Sequence, residues 1–149
     1  MPRITVTERI AAPCSQVFTE FTDLERNAAR VEGIKSIEPL TPGGFQLGAR
    51  WRETREVLGR DDSAEMEVTA FERDKAYTIT HHKAGARINT IFQFAAEGDA
   101  TDVTITFNLD GHGMPPGLLT PVGWLIAGKV REVLGQDMTN MKSAIEKPA

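Results

Sequence analysis

Tyr77 and His81 stand four residues apart in the alternating stretch Ala76-Tyr77-Thr78-Ile79-Thr80-His81-His82-Lys83. On a strand both fall on one face and His82 on the other. An imidazole that titrates near neutrality, beside a phenol on a cavity wall, can exchange a proton with a bound phenol or enol. The plainer reading makes His81 a hydrogen-bonded residue of the core or cavity edge. Glu53 and Arg55 form a second polar set and share parity with Trp51 and Val57. If that parity faces inward, opposite charges reach an apolar wall, where burial demands that they pair. They would then orient a polar ligand group, or serve as acid and electrophile. In the alternative Arg52, Thr54, Glu56 and Leu58 face inward, or the charged pair is solvated at an open end. The sequence leaves the parity of residues 51–58 open.

Other chemistry is weakly represented. The three histidines lack metal-ligand spacing, so no metal or other cofactor is expected. Cys14 lies on a turn with no partner base in sequence and reads as a packing residue. Gly43-Gly44 lacks the Lys-Ser/Thr of a phosphate loop. Gly111-His112-Gly113-Met114-Pro115-Pro116-Gly117 excludes regular structure. It reads as a plain connection or as a cavity gate, with Met114, Leu118 and Trp124 as adaptable apolar lining. Gly128 and Gly135 share one helical stripe and leave room for a ligand or for close packing.

These residues need elements to hold them. Ile4, Val6 and Ile10 give residues 3–10 the alternation of a strand. Pro13 stops it, and Ser15 is the expected cap of a short helix carrying Val17, Phe18 and Phe21. Asp23 is the expected cap of a second, over 24–31. Strands are predicted over 34–40, 48–58, 63–73, 76–83, 87–95 and 102–110, separated by Gly- and Asp-bearing turns. Such short breaks argue an antiparallel meander. Met66, Val68 and Ala70 share one face, as do Ile88, Thr90, Phe92 and Phe94, then Val103, Ile105, Phe107 and Leu109. A long helix is predicted over 119–146. Val122, Ile126, Val130, Val133, Leu134, Met138, Met141 and Ile145 form its apolar stripe, with Lys129, Arg131, Glu132, Asp137, Lys142 and Glu146 mostly opposite. The dry sheet face and this stripe must bury each other.

Composition agrees with one globular domain over 1–149: 40% hydrophobic, 26% charged, net charge −4. A mildly acidic chain without a basic block argues against nucleic acid and anionic membrane. One cysteine rules out an intrachain disulfide and fits a reducing cytosol, and Met1–Thr5 lacks the charged and apolar regions of a signal peptide. A cytoplasmic protein is expected, and a homodimer is left open.

Four stretches carry a family likeness: Ile10-Ala11-Ala12-Pro13 with Val17-Phe18 and Asp23; Gly48-Ala49-Arg50-Trp51-Arg52-Glu53; Glu67-Val68-Thr69-Ala70-Phe71-Glu72; and Thr101-Asp102-Val103-Thr104-Ile105-Thr106. With the order strand, two short helices, six strands and long helix, the chain resembles the START-like, or helix-grip, SRPBCC superfamily in its polyketide cyclase/dehydrase-like branch. The resemblance implies an α+β fold, a seven-stranded curved antiparallel sheet and a long C-terminal helix over an internal cavity. It also implies a small hydrophobic or aromatic ligand, with cyclisation or dehydration in a minority of members and protein interaction in others. The expected ligand contacts are Trp51, Arg55, Met66, Val68, Ile79, Phe92, Phe107, Met114, Trp124 and Gly128. His81, with Tyr77 or Glu53, is the candidate for proton transfer. Fold likeness alone does not choose between binder and enzyme.

Overall fold

The structure is a computed structural model that describes residues 3–57, 59–83, 85–110 and 121–147. Strand β1 (Arg3–Ile10) buries Ile4 and Ile10 on one face, as its alternation dictates. Helix α1 (Cys14–Phe21) follows Pro13, whose fixed φ, −61°, sets the entry; no side chain caps this end, so Ser15 lies in the first turn instead of capping it. Helix α2 (Leu24–Arg30) is capped as expected, Asp23 Oδ1 accepting from the Arg26 amide at 3.2 Å. Six strands follow: β2 (Ile34–Pro39), β3 (Arg50–Val57), β4 (Arg60–Glu72), β5 (Ala76–Lys83), β6 (Ala86–Glu97) and β7 (Ala100–Asp110). The chain then forms helix α3 (Pro121–Glu146).

The strands form one seven-stranded sheet in the order β1-β7-β6-β5-β4-β3-β2, every pair antiparallel. This is the meander implied by the short turns, closed by β1 adding to β7 with Ile4 opposite Phe107 and Ile10 opposite Thr101. Helix α3 lies against the concave face and packs along β1, burying Met138, Met141 and Ile145. Its last turns are tied to the end of β1: Glu146 Oε2 accepts from the Ala11 amide at 2.7 Å, and Lys142 donates to the Arg9 carbonyl. Phe18 and Phe21 of α1 meet Phe71, Tyr77, Phe92 and Phe94 edge to face, with centroids 5.1–6.4 Å apart.

One inward assignment fails. The β4–β5 register shifts between Val68 and Ala70, the mark of a β-bulge. The extra residue reverses the parity beyond it, so Ala70 is exposed and Phe71 turns toward the core. No helix among the described residues is long and apolar enough to cross a membrane.

Candidate ligand-binding site

Strand β3 resolves the parity left open by its sequence. Trp51 is buried, and Glu53 and Arg55 follow it along the wall of a cavity of about 90 Å³. The remaining wall is mainly apolar. Phe21 and Leu24 come from the short helices, Ile79 and Phe92 from the sheet, and Leu134, Met138 and Met141 from α3.

The charged part of the wall is a single chain of contacts. Trp51 Nε1 donates to Glu53 Oε1 at 3.4 Å, and Arg55 Nε donates to Glu53 Oε2 at 2.8 Å. The far end of the guanidinium grips Asp137 of α3 with two bonds, Nη1 to Oδ1 at 3.2 Å and Nη2 to Oδ2 at 2.9 Å. This fork-to-fork geometry is the strong form of a charged hydrogen bond. Burial opposes the charge on Arg55, but Asp137 and Glu53 outweigh it and hold the guanidinium pKa above its ordinary value. Burial also pushes the Asp137 carboxyl up; Arg55 pulls it down and the charge of Glu53 adds to the rise. Two carboxylates share one guanidinium, so when both are ionised the group carries one negative charge in excess.

Asp137 is a charged wall residue that the sequence does not nominate, because helical spacing assigns it to the solvent side of α3. It stands between Leu134 and Met138, and only the inward position of Arg55 reveals that a carboxylate belongs there. Gly33, just before β2, completes the fit: a Cβ at that position would lie 3.2 Å from Arg55 Nη1.

Tyr77 also belongs to this wall. Burial raises its phenol pKa well above the usual value, and the nearby Glu53 charge adds to the effect. The phenol therefore keeps its proton. His81 shares the inner face of β5 and is half-buried, but it does not line this cavity. Its Nδ1 is buried without a partner among the described residues. Burial lowers the imidazole pKa, against the pull of Glu53.

Of the candidates nominated by the sequence, the cavity gathers Trp51, Glu53, Arg55, Tyr77, Ile79 and Phe92 in one wall, without His81, Met66, Val68 or Phe107. Val68 is buried in a neighbouring cluster with Ala49 and Trp51, and Met66 packs against it. Phe107 is half-buried across the sheet, and Gly128 is exposed on α3. Met114, the segment 111–117 and the side chain of Trp124 lie outside the described residues. Cys14 donates its thiol to the Asp74 carbonyl at 3.3 Å, and burial raises its pKa, the opposite of what an activated nucleophile needs.

Solved structures share this architecture. A START superfamily protein from Mycobacterium smegmatis superposes with a TM-score of 0.76 at 16% identity, over 99% of both chains. The Zhui aromatase/cyclase from Streptomyces sp. R1128 gives 0.81 at 14% identity, over 98% of this chain and 94% of its own. TTHA0849 from Thermus thermophilus gives 0.81 at 17% identity, over 97% of each. At these identities the likeness speaks to the fold, which is the helix-grip START-like fold. No curated protein matches the sequence. The family model described as polyketide cyclase / dehydrase and lipid transport matches residues 1–146, nearly the whole chain, and the protein belongs to that family.

Proposed function

We propose that the protein binds a small hydrophobic, preferably aromatic, molecule between sheet and helix, with a hydrogen-bond donor of the ligand directed at the Glu53–Arg55–Asp137 group. The observation that carries this reading is the wall itself: aromatic and aliphatic side chains around one charged cluster. Apolar area supplies affinity in such sites, and a few polar groups set orientation. Because two carboxylates share one guanidinium, the cluster favours a ligand hydroxyl or amine over a carboxylate. The test is calorimetric titration with phenol, toluene and benzoate. Saturable binding with phenol at least fivefold tighter than either relative supports the reading. Absence of saturable binding by all three overturns it.

A second reading is catalytic: proton transfer by His81 with Tyr77 or Glu53, as in a cyclase or dehydratase. It draws on the Nδ1 of His81, buried without a partner among the described residues, and on the lowered pKa that keeps the imidazole neutral and able to accept a proton. Exchange of the α-protons of an aromatic ketone into deuterated water, followed by NMR, tests it. Exchange catalysed by wild type and lost in His81→Gln supports the role. A rate unchanged by that substitution removes it.

A further inference from the structure

Phe45 occupies a place suited to a ligand ring. It belongs to the connection between β2 and β3, residues 40–49, yet its side chain lines the internal cavity. On the same loop Leu40 is 39% and Leu47 65% exposed. The Phe45 ring meets Tyr77 edge to face at 4.8 Å, Trp51 at 5.7 Å and Phe71 at 6.1 Å, distances at which aromatic rings attract. Tyr77 in turn stacks on Phe92 at 4.5 Å with 21° between planes. The contacts form an aromatic box filled by a residue that the sheet itself does not supply.

Two hollows meet at this ring. Phe45, Trp51 and Leu24 line the 90 Å³ cavity and also an outer groove of about 420 Å³ formed by residues 22–25 and the 39–45 segment. The loop is pinned at its ends. The Leu40 amide donates to the Arg50 carbonyl, Arg50 N–H to Thr41 Oγ1, and Gly48 N–H to the Val68 carbonyl, each at 2.9 Å. None of these bonds uses Phe45. Gly43 and Gly44 before it and Gly48 after it adopt φ of +95°, +75° and +85°, backbone that glycine reaches without steric cost. The ring can therefore leave without breaking the sheet ladder.

We propose that Phe45 is a placeholder for an aromatic ligand. A planar aromatic ligand displaces it from the box of Trp51, Phe71 and Tyr77, and cavity and groove merge into one site entered beside α2. The inference rests on the binding function proposed above and adds the subsite, the size of ligand and the route. Size supports it: a cavity of about 150 Å³ is what benzene has been seen to fill, so the 90 Å³ beside the ring falls short even for one ring, and a fused pair needs the volume that Phe45 holds all the more.

The experiment is calorimetric titration of 2-naphthol into wild type, Phe45→Ala, Phe45→Leu and Leu47→Ala, with thermal melts to establish that each is folded. Binding to both Phe45 variants is expected to be at least tenfold tighter than to wild type, about 1.4 kcal/mol, with Leu47→Ala unchanged. If Phe45→Ala unfolds, Phe45→Leu decides. Equal affinities in wild type and the Phe45 variants overturn the placeholder while leaving the cavity as a binding site. An equal gain in Leu47→Ala also overturns it, because loosening of the loop would then explain the effect. Absence of binding in wild type and in both Phe45 variants removes the cavity function and the placeholder together.

Discussion

Arg55 and Asp137 are 82 positions apart in the chain, yet they meet through two hydrogen bonds of 3.2 and 2.9 Å inside the cavity wall. The pair joins β3, near one edge of the sheet, to the middle of the helix that covers it. Removing one partner of a buried ion pair leaves a charge without compensation, at a cost of about 3–5 kcal/mol. Here Glu53 still neutralises the guanidinium, so Asp137→Asn leaves no charge unpaired and is expected to lose only the charged hydrogen bonds, about 2 kcal/mol, read as a lower urea midpoint at unchanged slope. A double-mutant cycle with Arg55→Met should show strong coupling. Independent, additive effects would mean that the pair contributes little.

Gly33 gives a more local test of the same contact. Its backbone is not in the left-handed region, and an added Cβ would approach Arg55 Nη1 to 3.2 Å and Asp137 Oδ1 to 3.9 Å. Gly33→Ala is therefore expected to destabilise the protein by about 1 kcal/mol through the pinned guanidinium, the typical size of a point-mutation effect. In an Arg55→Met background that penalty should vanish. Persistence there would assign the effect to the backbone.

Seven strands, two short helices and a long helix are legible in the sequence because alternation, turn residues and helical spacing are local signals. The β5 bounds, 76–83, agree with the expectation, while β4 begins at Arg60, three residues earlier than expected. What fails depends on partners distant in sequence. The bulge between Val68 and Ala70 is a property of pairing with β5, and nothing in Glu67-Val68-Thr69-Ala70-Phe71 announces it. Asp137 looks like any surface acid until Arg55 is known to face it. Phe45 sits among Gly43, Gly44 and Gly48, where composition says only loop. Trp51, Glu53, Arg55, Tyr77, Ile79 and Phe92 emerge as candidates because alternation supplies a face, although the parity of β3 needs its neighbours.

The bulge can be tested through two adjacent residues. Ala70 is exposed, so Ala70→Trp should change stability by no more than about 0.5 kcal/mol. Phe71 is half-buried and touches both Phe18 and Phe45. Phe71→Ala should cost about 2 kcal/mol, below the range for a fully buried phenylalanine. Chemical denaturation of the two variants checks the pair, and the reverse order of effects would contradict the register shift.

His81 supplies a pH signature. Burial lowers its pKa from the ordinary value of 6.5, so the folded protein resists protonating it while the unfolded chain does not. A group with a depressed folded pKa contributes stability that is present above the unfolded pKa and lost as pH falls through the folded one. Below about pH 6.5 the unfolded state binds more protons at this site, and wild type should weaken on acidification down to the folded pKa. One proton limits the slope to about 1.4 kcal/mol per pH unit. Other groups titrate as well: Asp137, raised by burial, acts in the opposite sense, with stability lost as pH rises through its folded pKa. The informative quantity is therefore the difference between wild type and His81→Gln, measured by urea denaturation from pH 8 to pH 5. Across pH 8 to 7 the difference should be flat, and below about pH 6.5 it should shift progressively in favour of the variant. A difference that stays constant over the whole range would show that the imidazole is as free to protonate in the folded protein as in the unfolded chain. The burial of Nδ1 would then have no influence on the proton equilibrium, and the catalytic reading of His81 would lose its physical basis.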